Sequence, residues 1–206
     1  LHAVLAAALE TSDANNALNG LERLAAALPE PAELARHLRF NPDSLSLLLS
    51  VVSQSQFLSD ILVRYPDYYW WLVRSDVLRS PKSPADYRRD CAQAIAELPD
   101  RLARKNALCR LKLREILRIG ARDLLRVAKI EEVTREISDM AQSLIMTAAD
   151  IAWQETVARF GEPMTETGTP IATPEPPAGY TPDTHACGLC VIAMGKLGGR
   201  ELNFSS

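Results

Sequence analysis

Across residues 1–160 apolar side chains return every three or four positions, Leu, Ala and Arg dominate and glycine is scarce, a pattern that leaves an α-helical fold as the natural outcome. The punctuation divides this stretch into elements. Pro29 and Pro31 end one helix and start another, and Asn41-Pro42-Asp43-Ser44 supplies a turn and an N-cap ahead of Leu45, Leu48, Val51 and Val52. Ser80-Pro81-Lys82-Ser83-Pro84 is a clear break, with Ser83 or Asp86 available to cap the next helix. Beyond it, helices are expected up to Glu97, from Asp100 to Lys129 and from Glu131 to Arg159, packed as a bundle.

Residues 161–185 differ in kind. Pro163, Pro170, Pro174, Pro176, Pro177 and Pro182 stand among Thr and Gly with no apolar period, the composition of a linker or surface insertion. Cys187 to Met194 is then a continuous apolar run with β-branched Val191 and Ile192 at its centre, which reads as a strand covered on both faces. A short buried helix competes, but Gly188, the run's length and Gly195 weigh against it. The turn after this run holds Gly195, Lys196, Gly198 and Gly199, where bare backbone can approach a polyanion and N–H groups can cradle phosphate. Neither G-x-x-x-x-G-K-[ST] nor G-x-G-x-x-G fits this spacing.

The run Gly195-Lys196-Leu197-Gly198-Gly199-Arg200-Glu201-Leu202-Asn203-Phe204-Ser205-Ser206 resembles the signature of the glutamine-synthetase adenylyltransferase family, in which a strand enters Gly-Lys-Leu-Gly-Gly-x-Glu-Leu-x-x-x-Ser and then an Asp-x-Asp pair. Arg114 to Leu125 and Thr134 to Asp139 also resemble the helical segment that the family carries upstream. The resemblance implies a mainly α chain: a helical region over 1–160, a linker over 161–185, and over 186–206 the first strand and glycine turn of an α/β nucleotidyltransferase domain of the DNA polymerase β type. Family members carry two such domains, one adding AMP to a tyrosine of glutamine synthetase and one removing it by phosphorolysis. Glu201 to Ser206 resembles the N-terminal, adenylyl-removing copy more closely. ATP or ADP and Mg²⁺ are the implied ligands, glutamine synthetase the implied partner, and the PII nitrogen-signalling protein a second. Gly195, Lys196, Gly198, Gly199, Ser205 and Ser206 are the implied nucleotide-binding residues, with Lys196 a point cation against phosphate charge and Glu201 holding the turn through backbone N–H groups. The metal-binding aspartates would fall beyond Ser206, so no catalytic or metal-ligating residue is expected within the chain. The chain opens on Leu1 and closes inside the motif, as a segment of a longer protein would, and such a segment is expected to be inactive alone. The competing reading is a helical regulatory or protein-interaction module without catalytic activity.

The remaining features constrain partners. A net charge of −3 argues against nucleic acid as the main partner, and Leu1 to Leu5 lacks the basic region of a signal peptide. No apolar run is long enough to span a bilayer, so the expected setting is the cytoplasm. Arg110, Arg114, Arg118, Arg122 and Arg126 recur every fourth residue as a basic ridge. A solvated face, paired with Glu115, Asp123 and acids on neighbouring helices, is the plain reading, since no aromatics interleave for base stacking. Cys187 and Cys190 form a C-x-x-C near His185, but without a second pair they read as small strand hydrophobes rather than zinc ligands. Tyr65 to Trp71 forms an aromatic cluster suited to core packing, and His2, His37 and His185 are too scattered to suggest a catalytic base.

Overall fold

A computed structural model describes residues 2–74, 76–161 and 190–204. The chain forms α1 (His2–Leu9), α2 (Ala14–Ala27), α3 (Pro31–Phe40), α4 (Pro42–Gln54), α5 (Gln56–Arg64), α6 (Asp67–Leu72), α7 (Pro84–Ile95), α8 (Arg101–Leu124), α9 (Ile130–Phe160) and a single turn, α10 (Gly195–Gly198). Its starts obey local chemistry. Proline opens α3, α4 and α7, where a missing N–H costs nothing. Asp13, Ser55 and Asp100 accept from the backbone N–H three residues on. Ser83 and Asp86 form a reciprocal capping box at α7. Asn41 departs from expectation: its Nδ2 turns back and donates to His37 O at 2.8 Å, closing α3 instead of capping α4.

One apolar core joins most of these helices. Leu24, Leu48, Leu62, Tyr69, Leu72, Tyr87 and Leu117 are wholly buried in it, each large apolar side chain contributing about 1.5–3 kcal/mol on removal from water. The aromatic cluster is core packing, as expected: Tyr68 and Tyr69 are buried, Tyr65 stacks on Tyr68 at 5.0 Å, and His37 meets Trp70 edge-on at 5.1 Å. The α8–α9 connection is tight because Arg126 adopts φ 56°. With Arg126 there, Val127 N–H reaches Arg122 O at 3.0 Å and Arg126 N–H reaches Asp123 O at 2.9 Å, a two-bond closure of the helix end. The helices therefore return antiparallel, with Arg118 facing Glu136 and Arg122 facing Glu132.

Of the strand expected over Cys187 to Met194, only residues 190–194 are described, and these do not form it. Residues 190–194 have no regular structure, Cys190 is exposed, and Val191, Ile192 and Met194 are largely exposed; no strand occurs among the described residues. An apolar, β-branched run records a need for burial and for ladder partners, and no described residue supplies either. Cys187 and most of the 161–185 segment lie outside the described residues, so the pairing of Cys187 with Cys190 does too.

Candidate functional site: a glycine-rich segment fastened to the bundle

The glycine-rich segment is a helical turn stabilised by its own backbone. Gly199 N–H donates to Gly195 O at 2.9 Å, and Glu201 N–H donates to Lys196 O at 2.7 Å. Gly195 takes φ +58°, a left-handed conformation that penalises a side chain. Gly198 is required for a different reason: a Cβ there would lie 2.6 Å from Ala193 O. Gly199 is under neither constraint, with φ −79° and no neighbour closer than 3.5 Å to its Cβ position. The turn's own geometry thus requires glycine at Gly195 and Gly198, and places no such steric or φ constraint on Gly199. Lys196 is exposed and makes no ion pair among the described residues, leaving its ammonium free for an external anion. Glu201 is expected to hold the turn through backbone N–H groups; the hydrogen bond observed is that of its own N–H to Lys196 O. Ser205 and Ser206 lie outside the described residues.

Immediately after the turn the chain is fastened to the bundle. Arg200 pairs with the buried carboxylate of Asp139 on α9, and Leu202 N–H donates to Ser138 Oγ at 3.2 Å. Ser138 Oγ itself donates to Thr134 O at 2.8 Å, which directs its acceptor lone pairs toward the segment. Leu202 and Phe204 pack against Ile119, Val133 and Ile137, so the segment rests on both α8 and α9. Sequence reasoning places Ser138 and Asp139 in the family-like stretch Thr134 to Asp139 but does not assign them this supporting role. A further signal is that the Ser-Asp pair stands between apolar Ile137 and Met140, polar groups placed where a core-facing stretch has no use for them.

Beneath this platform lies a buried ionic network, where the arginine ridge departs most from expectation. Arg118 and Arg122 do not sit on a solvated face; they are 1% and 2% exposed. Arg118 Nε donates to Glu115 at 2.8 Å, while its Nη2 donates to the Tyr87 hydroxyl at 2.9 Å and to Glu136. Lys82, from the proline break, bonds Glu115 and Asp90 through Nζ at 2.7 and 2.6 Å, and its N–H donates to Glu136 at 2.7 Å. Arg122 pairs with Glu132 rather than Asp123. Burial alone disfavours the Arg118 cation, but Tyr87, Glu115 and Glu136 around it more than offset this and hold its pKa above the ordinary value. Burial likewise pushes the Tyr87 phenol upward, keeping it a neutral donor. Periodicity cannot reveal this arrangement, because a four-residue repeat of arginine has the same form on a wet face and on a paired, dry one.

Among the described residues no group of three or more His, Cys, Asp or Glu side chains is placed to hold a metal ion. Asp139 is occupied by Arg200, and Glu201 has no second carboxylate beside it. Hard divalent ions require several oxygen ligands, so these residues do not by themselves fit the Mg²⁺ that the resemblance implies.

The chain matches the model of the glutamate-ammonia ligase adenylyltransferase family over residues 45–206, a range that includes most of α4, all of α5–α9 and the whole glycine-rich segment. It is 30% identical over 165 residues to the bifunctional glutamine synthetase adenylyltransferase/adenylyl-removing enzyme of Shewanella frigidimarina, covering 77% of this chain and 15% of that protein. The enzyme of the same name from Mannheimia haemolytica is 30% identical over 167 residues, with 81% and 15% covered, and that of Thioalkalivibrio sulfidiphilus 31% identical over 159, with 77% and 15% covered. The chain thus spans about 15% of the length of these curated relatives. With the match running unbroken from the bundle through the segment that α8 and α9 hold, the chain belongs to the glutamate-ammonia ligase adenylyltransferase family.

Proposed function

We propose that this chain is the helical platform and leading phosphate-contacting segment of a bifunctional enzyme that adds AMP to, or removes it by phosphorolysis from, a tyrosine of glutamine synthetase. Within that enzyme it corresponds to the N-terminal, adenylyl-removing copy. The observation that carries this reading is that the family match extends through residues 195–206 while Arg200, Leu202 and Phe204 fasten the same segment to the helices. Transfer at phosphorus needs the reacting groups positioned and the charge on non-bridging oxygens neutralised. Lys196, exposed and without an ion pair among the described residues on a short constrained turn, is suited to the second task. Gly195 and Gly198 permit the tight turn that carries it. Substrate nucleotide, ATP or ADP, and Mg²⁺ belong to the complete enzyme, as do glutamine synthetase and PII as partners and the cytoplasm as its setting.

Lys196→Ala in the full-length enzyme tests this. Loss of one charged phosphate contact should lower adenylylating or phosphorolytic turnover by more than about tenfold without changing the helical circular dichroism. Rates equal to wild type in both directions would remove Lys196 from the phosphate site. They would favour the reading of the chain as an interaction module.

A further inference from the structure

The arginine series on α8 divides into two halves, and the first is not consumed by the protein. Arg118 and Arg122 are neutralised in the interior, but Arg110 is exposed and has no acidic partner among the described residues. Arg114 reaches Glu115 only at 3.8 Å, and that carboxylate already serves Arg118 and Lys82 at 2.8 and 2.7 Å. Its Nε is buried without a hydrogen-bond partner. Arg110 and Arg114 both line a cavity of about 470 Å³ between α6, α7 and α8. The one acid in that lining, Asp90, is paired with Lys82 at 2.6 Å, so the cavity presents a net positive surface.

Three further features suit a ligand. Arg114 is braced over the Trp71 ring at 4.8 Å, so its head is held in place before anything binds, and little rotamer freedom is lost on engagement. Arg110 and Arg114 stand one helical turn apart, a spacing at which like charges repel and a shared anion relieves the repulsion. Ala94, Ala107 and Leu111 provide an apolar wall, and the volume falls in the range of small-molecule sites, well above the need of an inorganic ion.

We propose that this cavity binds a small organic anion, with a carboxylate or phosphate head held by Arg110 and Arg114 and an apolar body against Ala94, Ala107 and Leu111. The site is separate from the glycine-rich segment and does not depend on the adenylyl-transfer reading.

The test is calorimetric titration of this chain with phenyl phosphate, 3-phenylpropionate, inorganic phosphate and uncharged 3-phenylpropanol, with tryptophan fluorescence alongside, because a ligand on Arg114 alters the surroundings of Trp71. At least one organic anion should bind, more weakly as salt is raised, and the tighter of the two identifies the preferred head group. Phenylpropanol and inorganic phosphate should each bind at least tenfold more weakly, for want of the head and the body respectively. Arg110→Gln, which breaks no ion pair among the described residues, should weaken the preferred anion at least tenfold with unchanged circular dichroism, while Lys105→Gln on the same helix should not. Absence of binding by both organic anions, equal binding of the alcohol or of inorganic phosphate, or undiminished binding by Arg110→Gln would each overturn the proposal.

Discussion

Replacing Arg118 by Met should be among the most damaging single changes in the bundle. Methionine preserves much of the aliphatic stem but removes a guanidinium that donates to Glu115 at 2.8 Å, to Tyr87 at 2.9 Å and to Glu136. Two carboxylates that are 0% and 2% exposed lose the cation between them, with only Lys82 in reach of both. Hydrogen bonds to charged groups contribute about 1.5–3 kcal/mol each, and breaking a buried ion pair from one side costs about 3–5 kcal/mol, so a loss of about 4 kcal/mol is expected. Against a typical total of about 5–15 kcal/mol, that would lower the midpoint of thermal unfolding by roughly 8–16 °C for a chain of this size. Urea unfolding at neutral pH, tracked by circular dichroism at 222 nm, measures it. Arg23→Met is the matched control: its partner Asp60 lies 2.7 Å away, but both side chains are about half exposed, and such pairs contribute less than about 1 kcal/mol. Adding Glu136→Met to Arg118→Met should cost less than the sum of the single changes, because the second substitution removes a carboxylate the first has orphaned. A loss for Arg118→Met no greater than for Arg23→Met would refute the idea that a dry ionic network joins α7, α8 and α9.

Two further perturbations probe the α7 cap and the docked segment. The Ser83 hydroxyl and N–H, and to a lesser degree Arg89, hold the Asp86 carboxyl down to about 2 from 3.8. A folded value below the unfolded one means stabilisation that is present above about pH 3.8 and lost as pH falls through about 2, so Asp86→Ala should cost about 1 kcal/mol at neutral pH, and the gap to wild type should narrow under acid; a gap independent of pH would contradict the capping role. Asp139→Ala should release the segment after the glycine turn, raising hydrogen exchange at the Glu201 and Leu202 amides at least tenfold while α7 and α8 keep their protection, and unchanged exchange there would show that Leu202 and Phe204 alone hold it.

The helical elements are largely legible because they are written in local chemistry. Pro31, Pro42 and Pro84 open helices where the sequence places them, and the Ser83–Asp86 box caps α7 as its spacing implies. What escapes is set by partners far along the chain. Arg118 carries the same helical spacing as Arg110, yet one is interior and the other exposed, because the helices packed around α8, namely α4, α5, α7 and α9, determine which of its sides is covered. The apolar stretch at 190–194 reads as a strand because Val191 and Ile192 favour pleated, buried surroundings, but a strand is a relation between segments and the described residues hold no partner for it. The family signature identifies the glycine turn; the conformational reason for glycine at Gly195 and Gly198, which Gly199 does not share, lies in φ values and the position of Ala193 O.

The paired contacts Arg118–Glu136 and Arg122–Glu132 act as gear teeth. In an antiparallel hairpin, sliding α9 by one turn, about 5.4 Å, brings Arg118 opposite Glu132 or opposite Met140, and either displacement keeps at most one of the two ion pairs. Axial slippage of α9 on α8 is therefore closed as a route of motion, and the hairpin moves as a rod. The glycine-rich segment is attached to that rod through Arg200, whose side chain is 51% exposed, in contrast to 1% for Arg118. Water can replace the first contact far more readily than the second. Any displacement of residues 195–204 relative to the bundle thus has its softest coordinate at the Arg200–Asp139 contact, as a lever lifting from a fixed rail.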